Sequence, residues 1–246
     1  MTTMTNTPSA DEQSSRCYAI VPAAGIGKRM GADRPKQYLE LDGKTVIEHT
    51  LDRLRNFSPI EQVVVVLAPG DPYQAAIPGL QEPDVIRCDG GEERCHSVFN
   101  GLQRLHKHAR DRDWILVHDV ARPCIRRQDL QRLWDCLQSH EVGGLLGVPV
   151  RDTMKRTNVS GDIVATVDRE QLWHAYTPQM FRYGLLRQAL AYVLERDELV
   201  TDEAAAIEAF GYHPRMIEGA SDNIKITRPE DLTLAEFYLA RQQVAQ

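Results

Sequence analysis

A short apolar run, Tyr18–Pro22, passes directly into Ala23, Ala24, Gly25, Ile26 and Gly27, and then into Lys28 and Arg29. Nothing else in the sequence constrains the fold as tightly. A run this apolar fits a strand covered on both faces, as in a mostly parallel sheet. The small residues after it let backbone N–H groups approach a ligand with no Cβ in the way. Arg34 and Lys36 add further cations. A backbone cradle with cations at the end of a buried strand suits a polyphosphate.

Further apolar runs at Val63–Leu67, Ile115–Val117 and Leu145–Val148 read as strands of the same kind. Between them lie helical stripes: Val46, Ile47, Thr50, Leu51 and Leu54; Val98, Leu102 and Leu105; Leu130, Leu133, Trp134 and Leu137. The order β-α-β-α-β predicts an α/β, doubly wound, Rossmann-like layer with a mostly parallel sheet. Toward the C-terminus, Tyr183–Leu194 predicts a helix. Thr201 is placed to cap another over Asp202–Phe210, with Gly211 as its stop. Met216–Gly219 and Asn223–Thr227 read as short strands, and Thr227 with Glu230 has capping-box spacing at the start of a last helix.

One segment interrupts the alternation. Residues 152–157 and Ile163–Arg169 flank Asn158–Gly161 and predict a β-hairpin, an arm of about residues 150–170. A two-stranded hairpin is marginal alone, so it packs either on its own domain or on a second subunit. The remaining sequence shows no repeat and no second core. The expected organisation is a polar, disordered tail over residues 1–16 and one domain over residues 17–246 carrying the arm.

Charge and cysteine content narrow the class. The net charge of −6 over 246 residues argues against a general nucleic-acid binder. Five cysteines without a Cys-x-x-Cys pair fit spare thiols in a reducing compartment. No run approaches the ~20 apolar residues of a membrane span, and the polar N-terminus lacks the apolar centre of a secretory signal. A cytoplasmic location is expected.

Three constellations carry candidate chemistry. The loop from Gly25 only loosely matches a dinucleotide fingerprint, because cations crowd it, Pro35 interrupts any long helix and no acid ends the next strand. With no Walker A pattern either, a nucleoside triphosphate fits better. At Val117–Pro123 an apolar strand ends in His118 and Asp119, where open α/β sheets bind ligands. Asp119 either assists Mg²⁺ held with phosphates or closes a turn. Gly90 and Gly91, followed by Glu92, Arg94 and Ser97, form either a close-approach loop whose amides read a base edge or a plain strand-to-helix turn. His96, His106, His108 and His118 have no metal-ligand spacing, and nothing marks a Ser or Cys nucleophile.

In order along the chain, Pro22–Met30, Pro35–Leu39, Gly90–Ser97, Val117–Pro123, Val150–Lys155, Thr166–Arg169, Trp173–Gln179, Thr201–Ala204 and Asp222–Asp231 resemble the 2-C-methyl-D-erythritol 4-phosphate cytidylyltransferases of the non-mevalonate isoprenoid pathway. The likeness spans nearly the whole chain after the tail. Val120 and Glu92 depart from the usual residues with little change of size or charge type.

The resemblance implies transfer of CMP from CTP to methylerythritol phosphate with release of pyrophosphate. It implies that Arg29 and Lys36 stabilise charge at the α-phosphate, and that Pro22, Ala23, Ala24, Gly25, Gly91, Glu92 and Ser97 hold CTP. Asp119 would sit near Mg²⁺ (or another divalent cation), the ribose and the phosphates. Lys225 would position the acceptor phosphate. Thr153 and Arg169 on the arm would reach a neighbouring subunit's site, making the chain a homodimer. Thr177 and Thr201 would contact acceptor hydroxyls. The alternatives are a cytidylyltransferase acting on ribitol phosphate and a non-catalytic, nucleotide-binding regulator.

Overall fold

The computed structural model describes residues 15–25, 30–31 and 33–244. Arg29, Lys28 and most of the expected tail lie outside the described residues. Ser15 and Arg16 lie within them and are bonded to the domain: the Arg16 N–H donates to Asp113 Oδ1 (3.1 Å) and its carbonyl accepts from the Trp114 N–H (2.7 Å).

Strand β1 (Cys17–Pro22) runs through the middle of a seven-stranded sheet, flanked by β4 (Ile60–Leu67) and β6 (Trp114–Val117), both parallel to it. Beyond β4 lies β5 (Val85–Asp89). Beyond β6 come β10 (Trp173–Arg182), β7 (Gly143–Pro149) and β11 (Arg215–Glu218). Only β10 is antiparallel to its neighbours. The expected mostly parallel α/β layer is therefore present.

Alternate residues of β1 enter different cores, which is why the run is apolar throughout. Cys17, Ala19 and Val21 face the core under α1 (Val46–Arg55) and α3 (Arg127–Leu137). Tyr18 and Ile20 face the core under α2 (Arg94–Arg104), α4 (Tyr183–Leu194) and α5 (Glu203–Ala209). The last helix, α6 (Pro229–Val244), covers a smaller cluster of Leu41, Val46, Cys124, Ile226, Ala235 and Leu239. A tight hairpin joins β2 (Glu40–Leu41) to β3 (Lys44–Thr45) through Asp42 and Gly43, both at positive φ as such a turn requires. It leads into the α1 cap, where Thr45 and Glu48 bond reciprocally.

Several expectations shift. Asn223–Thr227 is not a strand: its backbone leaves the sheet to meet the cleft described below. The α5 cap is Asp202, whose carboxylate accepts from the Ala205 N–H (3.0 Å), and not Thr201. At α6 the reaching acid is Asp231, one residue beyond Glu230. Its Oδ2 accepts from Thr227 N–H, Thr227 Oγ1 and Arg228 N–H at 2.7–2.9 Å.

The arm forms as β8 (Met154–Thr157) and β9 (Ile163–Val167), antiparallel to each other and outside the main sheet. Val159, Ile163 and Val164 are exposed on it. Residues 151–166 are exposed, so among the described residues the arm does not pack into the core of its own domain.

Candidate active site

The carboxyl ends of β1, β5 and β6 open into one cleft of about 270 Å³. Pro22, Ala24 and Gly25 line it from the β1 loop, and Gly91, Glu92, Arg94 and Ser97 from the β5–α2 connection. Asp119 enters from the end of β6, Lys36 and Gln37 from the turn before β2, and Lys225 from the segment before α6. Residues separated by two hundred positions thus converge where an open α/β sheet places its ligand.

The loop walls are tightly built. Ala23 points into the core while its N–H donates to the Val66 carbonyl (2.7 Å), so the β1 loop continues the sheet for one more residue. Gln37, buried, donates from Nε2 to the Ala23 carbonyl (2.7 Å) and ties the Lys36 turn to that loop. A Cβ on Gly90 would stand 2.5 Å from Ala24 Cβ, and one on Gly91 2.4 Å from His96 Cβ. Both glycines are therefore required by close packing. The Gly91 N–H donates to Ser97 Oγ (3.1 Å), so Ser97 closes the turn and orients that amide.

Charge is concentrated around Asp119, itself buried. Its Oδ1 accepts from Arg94 Nε (3.0 Å), and its Oδ2 lies 2.7 Å from Lys225 Nζ and 3.9 Å from Arg122 Nε. Burial would raise this carboxyl's pKa, but Arg94, Lys225 and Arg122 outweigh it and hold the group below the usual carboxylate range. Arg94 also forks onto Glu203 at the start of α5, Nη1 to Oε1 at 2.7 Å and Nη2 to Oε2 at 3.0 Å. The Glu203 side chain is only 1% exposed. Lys36 Nζ donates to the Ile226 carbonyl (2.8 Å), and Arg122 Nη1 to the Asn223 carbonyl (2.6 Å). The irregular 223–226 backbone is pinned by the two bonds.

Behind Asp119, Thr177 Oγ1 accepts from the Asp119 N–H (3.1 Å) and lies 3.0 Å from His118 Nδ1. His118 Nε2 lies 3.0 Å from the Arg122 carbonyl. Burial pushes the His118 pKa down to about 4.

Of the expected site residues, Pro22, Ala24, Gly25, Lys36, Gly91, Glu92, Ser97, Asp119 and Lys225 line the cleft. Ala23 and Thr177 form its backing. Thr153, Arg169 and Thr201 are exposed and do not line it; Arg169 instead donates to the Arg151 carbonyl at the base of the arm. Arg29 lies outside the described residues. Sequence reasoning named Arg94 and His118 without giving them work, and it passed over Gln37 and Glu203. Only the Pro35–Gln37 and Thr201–Ala204 motifs hinted at those two.

As for metals, no cluster of three or more metal-ligating side chains occurs among the described residues. Asp119, Glu92 and Glu93 are the carboxylates at the cleft, and both Asp119 oxygens already meet cations. The donor set suits a divalent cation carried in on a polyphosphate better than one held by protein alone.

A sequence model of the family described as 2-C-methyl-D-erythritol 4-phosphate cytidylyltransferase matches residues 17–241. The protein of that name from Vibrio vulnificus (strain CMCP6) is 52% identical over 225 residues, covering 92% of this chain and 95% of the relative. One from Pseudomonas putida (strain W619) is 55% identical over 216 residues, covering 87% and 92%. Among solved structures, a 4-diphosphocytidyl-2C-methyl-D-erythritol synthase superposes with a TM-score of 0.80 at 38% identity, covering 92% of this chain and all of that one.

Proposed function

Since the chain belongs to the 2-C-methyl-D-erythritol 4-phosphate cytidylyltransferase family and is an enzyme of that nucleotidyltransferase class, we infer that it transfers CMP from CTP to 2-C-methyl-D-erythritol 4-phosphate in isoprenoid precursor synthesis. A phosphate oxygen of the acceptor forms a bond to the α-phosphorus of CTP, the bond from that phosphorus to the β-phosphate oxygen breaks, and pyrophosphate leaves. The attacking phosphate is already anionic, so no protein nucleophile or base is needed. The barrier is the approach of two polyanions and the charge that spreads at phosphorus, which preorganised cations lower.

The observation that carries this reading is the convergence of Lys225 and Arg94 on Asp119, with Lys36 lining the same cleft, whose walls are small residues and whose described lining holds no cysteine. In this reading Ala23, Ala24, Gly25, Gly91, Glu92 and Ser97 seat CTP beside Pro22. Lys36, with Arg29, faces the α-phosphate. Lys225 meets the acceptor phosphate beside Asp119. A divalent cation, Mg²⁺ for example, would arrive with the triphosphate near Asp119 and neutralise phosphate charge. Thr177 backs the acceptor pocket from behind Asp119, its hydroxyl engaged by the Asp119 N–H and His118.

The arm supports a homodimer. Its exposed Val159, Ile163 and Val164 leave apolar surface for a second copy. Thr153 and Arg169, which do not line their own cleft, then serve the partner's. Among the described residues no helix is long and apolar enough to cross a membrane, which accords with a cytoplasmic enzyme.

The test is pyrophosphate release by purified protein with Mg²⁺, CTP and either methylerythritol phosphate or ribitol phosphate. Release selective for methylerythritol phosphate is expected. Release only with ribitol phosphate refutes the acceptor, and none with either refutes catalysis.

A further inference from the structure

His118 is fully buried beside the carboxylate that lines the cleft, yet the chemistry above gives it no task. Its bonding has a direction set by its partners. The Arg122 carbonyl, 3.0 Å from Nε2, can only accept, so Nε2 carries the ring proton. Nδ1 then presents a lone pair to Thr177 Oγ1 at 3.0 Å, and the Thr177 hydroxyl proton points there. The same hydroxyl oxygen accepts from the Asp119 N–H at 3.1 Å. The result is one continuous chain: Asp119 N–H to Thr177 oxygen, Thr177 O–H to His118 Nδ1, and His118 Nε2–H to the Arg122 carbonyl. It staples the loop after β6 to β10, across 59 positions of sequence.

This chain ends on the backbone of Asp119, whose carboxylate sits between Arg94 and Lys225 at 3.0 and 2.7 Å. Shifting that backbone would displace both cations together, and reaction geometry is sensitive at the scale of an ångström. We propose that His118 is a positioning residue for CMP transfer: its unprotonated Nδ1 holds the Thr177 hydroxyl as the acceptor for the Asp119 N–H, and so fixes the Asp119 carboxylate in the cleft. The kinetic consequence rests on the cytidylyltransferase reading.

Two isosteric variants separate the two halves of the chain. In His118→Asn the amide oxygen falls near the position of Nδ1, which keeps the Thr177 bond and loses the Arg122 bond. In His118→Gln the amide nitrogen falls near Nε2, which keeps the Arg122 bond and frees Thr177. Each loses one buried hydrogen bond, so both melt at similarly lowered temperatures. The expected kcat of His118→Asn stays within about 3-fold of wild type, while that of His118→Gln falls by about 10-fold or more. Amide hydrogen exchange at Asp119, read by NMR, accelerates in His118→Gln and not in His118→Asn. Equal loss of kcat in both variants, in step with melting temperature, overturns the proposal in favour of a structural role. Unchanged kcat in His118→Gln, or equal Asp119 exchange in the two variants, overturns it as well. Wild-type protein inactive with CTP and methylerythritol phosphate would refute the cytidylyltransferase reading instead, and the exchange comparison would still decide what His118 holds.

Discussion

Replacing Glu203 with alanine removes two charge-assisted hydrogen bonds from Arg94, at 2.7 and 3.0 Å, and leaves the guanidinium with Asp119 as its described anionic partner. Glu203 is almost wholly enclosed, but the Arg94 side chain is 25% exposed on its cleft side. Breaking a buried pair by deleting one partner costs about 3–5 kcal/mol, because the other charge stays desolvated. Water reaching Arg94 through the cleft puts this case at the low end, about 3 kcal/mol. For a chain of this size that lowers Tm by roughly 6–12 °C. Urea unfolding followed through the buried Trp114 gives the free energy directly. Glu203→Gln keeps the shape and one acceptor, so it should lose about half as much. In Glu203→Ala the KM for CTP should rise, because Arg94 lines the cleft and steadies Asp119. A loss below about 1 kcal/mol for Glu203→Ala would refute the idea that this buried pair holds Arg94 in place.

Lys36→Ala and Arg29→Ala should each lower turnover by about 100-fold or more, the ~3–4 kcal/mol lost with one preorganised charge contact, with circular dichroism unchanged; near-normal kcat in both would remove them from the transition state. If the arm pairs two copies as proposed, inactive Lys36→Ala and Arg169→Ala proteins, mixed and shown to exchange subunits, should regain part of their activity, whereas exchange without recovery would place Arg169 outside the partner's site. Asp231→Ala should destabilise by about 1 kcal/mol through loss of the α6 cap, as read by urea titration. Burial pushes the Asp231 carboxyl up, but the bonds from Thr227 and Arg228 outweigh it and hold it below its ordinary value. The wild-type advantage is therefore present in full above the unfolded-state pKa near 4 and fades as pH falls through the lower folded-state value; an advantage unchanged down to pH 2 would contradict the cap.

What the sequence made legible follows from how locally each feature is encoded. The strand at β1 was readable because both of its faces are buried, so every residue from Cys17 to Val21 had to be apolar. The β5 strand was missed because it lies at the sheet edge with its residues only partly covered, and Arg87 and Asp89 interrupt the pattern. The β10 strand was missed for a different reason. It is central, but its buried stretch carries Thr177 and Gln179, and neither is spent on core packing. Thr177 accepts from Asp119, while Gln179 bonds the Ala204 N–H and Asp202 at the start of α5. Polar residues recruited to build a site erase the apolar signal by which a strand is recognised. The same logic divides the site itself. The small-residue loop, Lys36, Ser97 and Asp119 stood out because each falls within a short, chemically odd stretch, whereas Lys225, inside a segment read as a strand, was marked only by the family resemblance. The pairing of Arg94 with Glu203 spans 109 positions, and that of His118 with Thr177 spans 59. Neither has a local signature, because a buried polar partner is specified only by the folded geometry that leaves no water to replace it. Most groups that line the cleft were therefore readable along the chain, and groups that hold those groups in place became visible only when the sheet brought β6, β10 and α5 together.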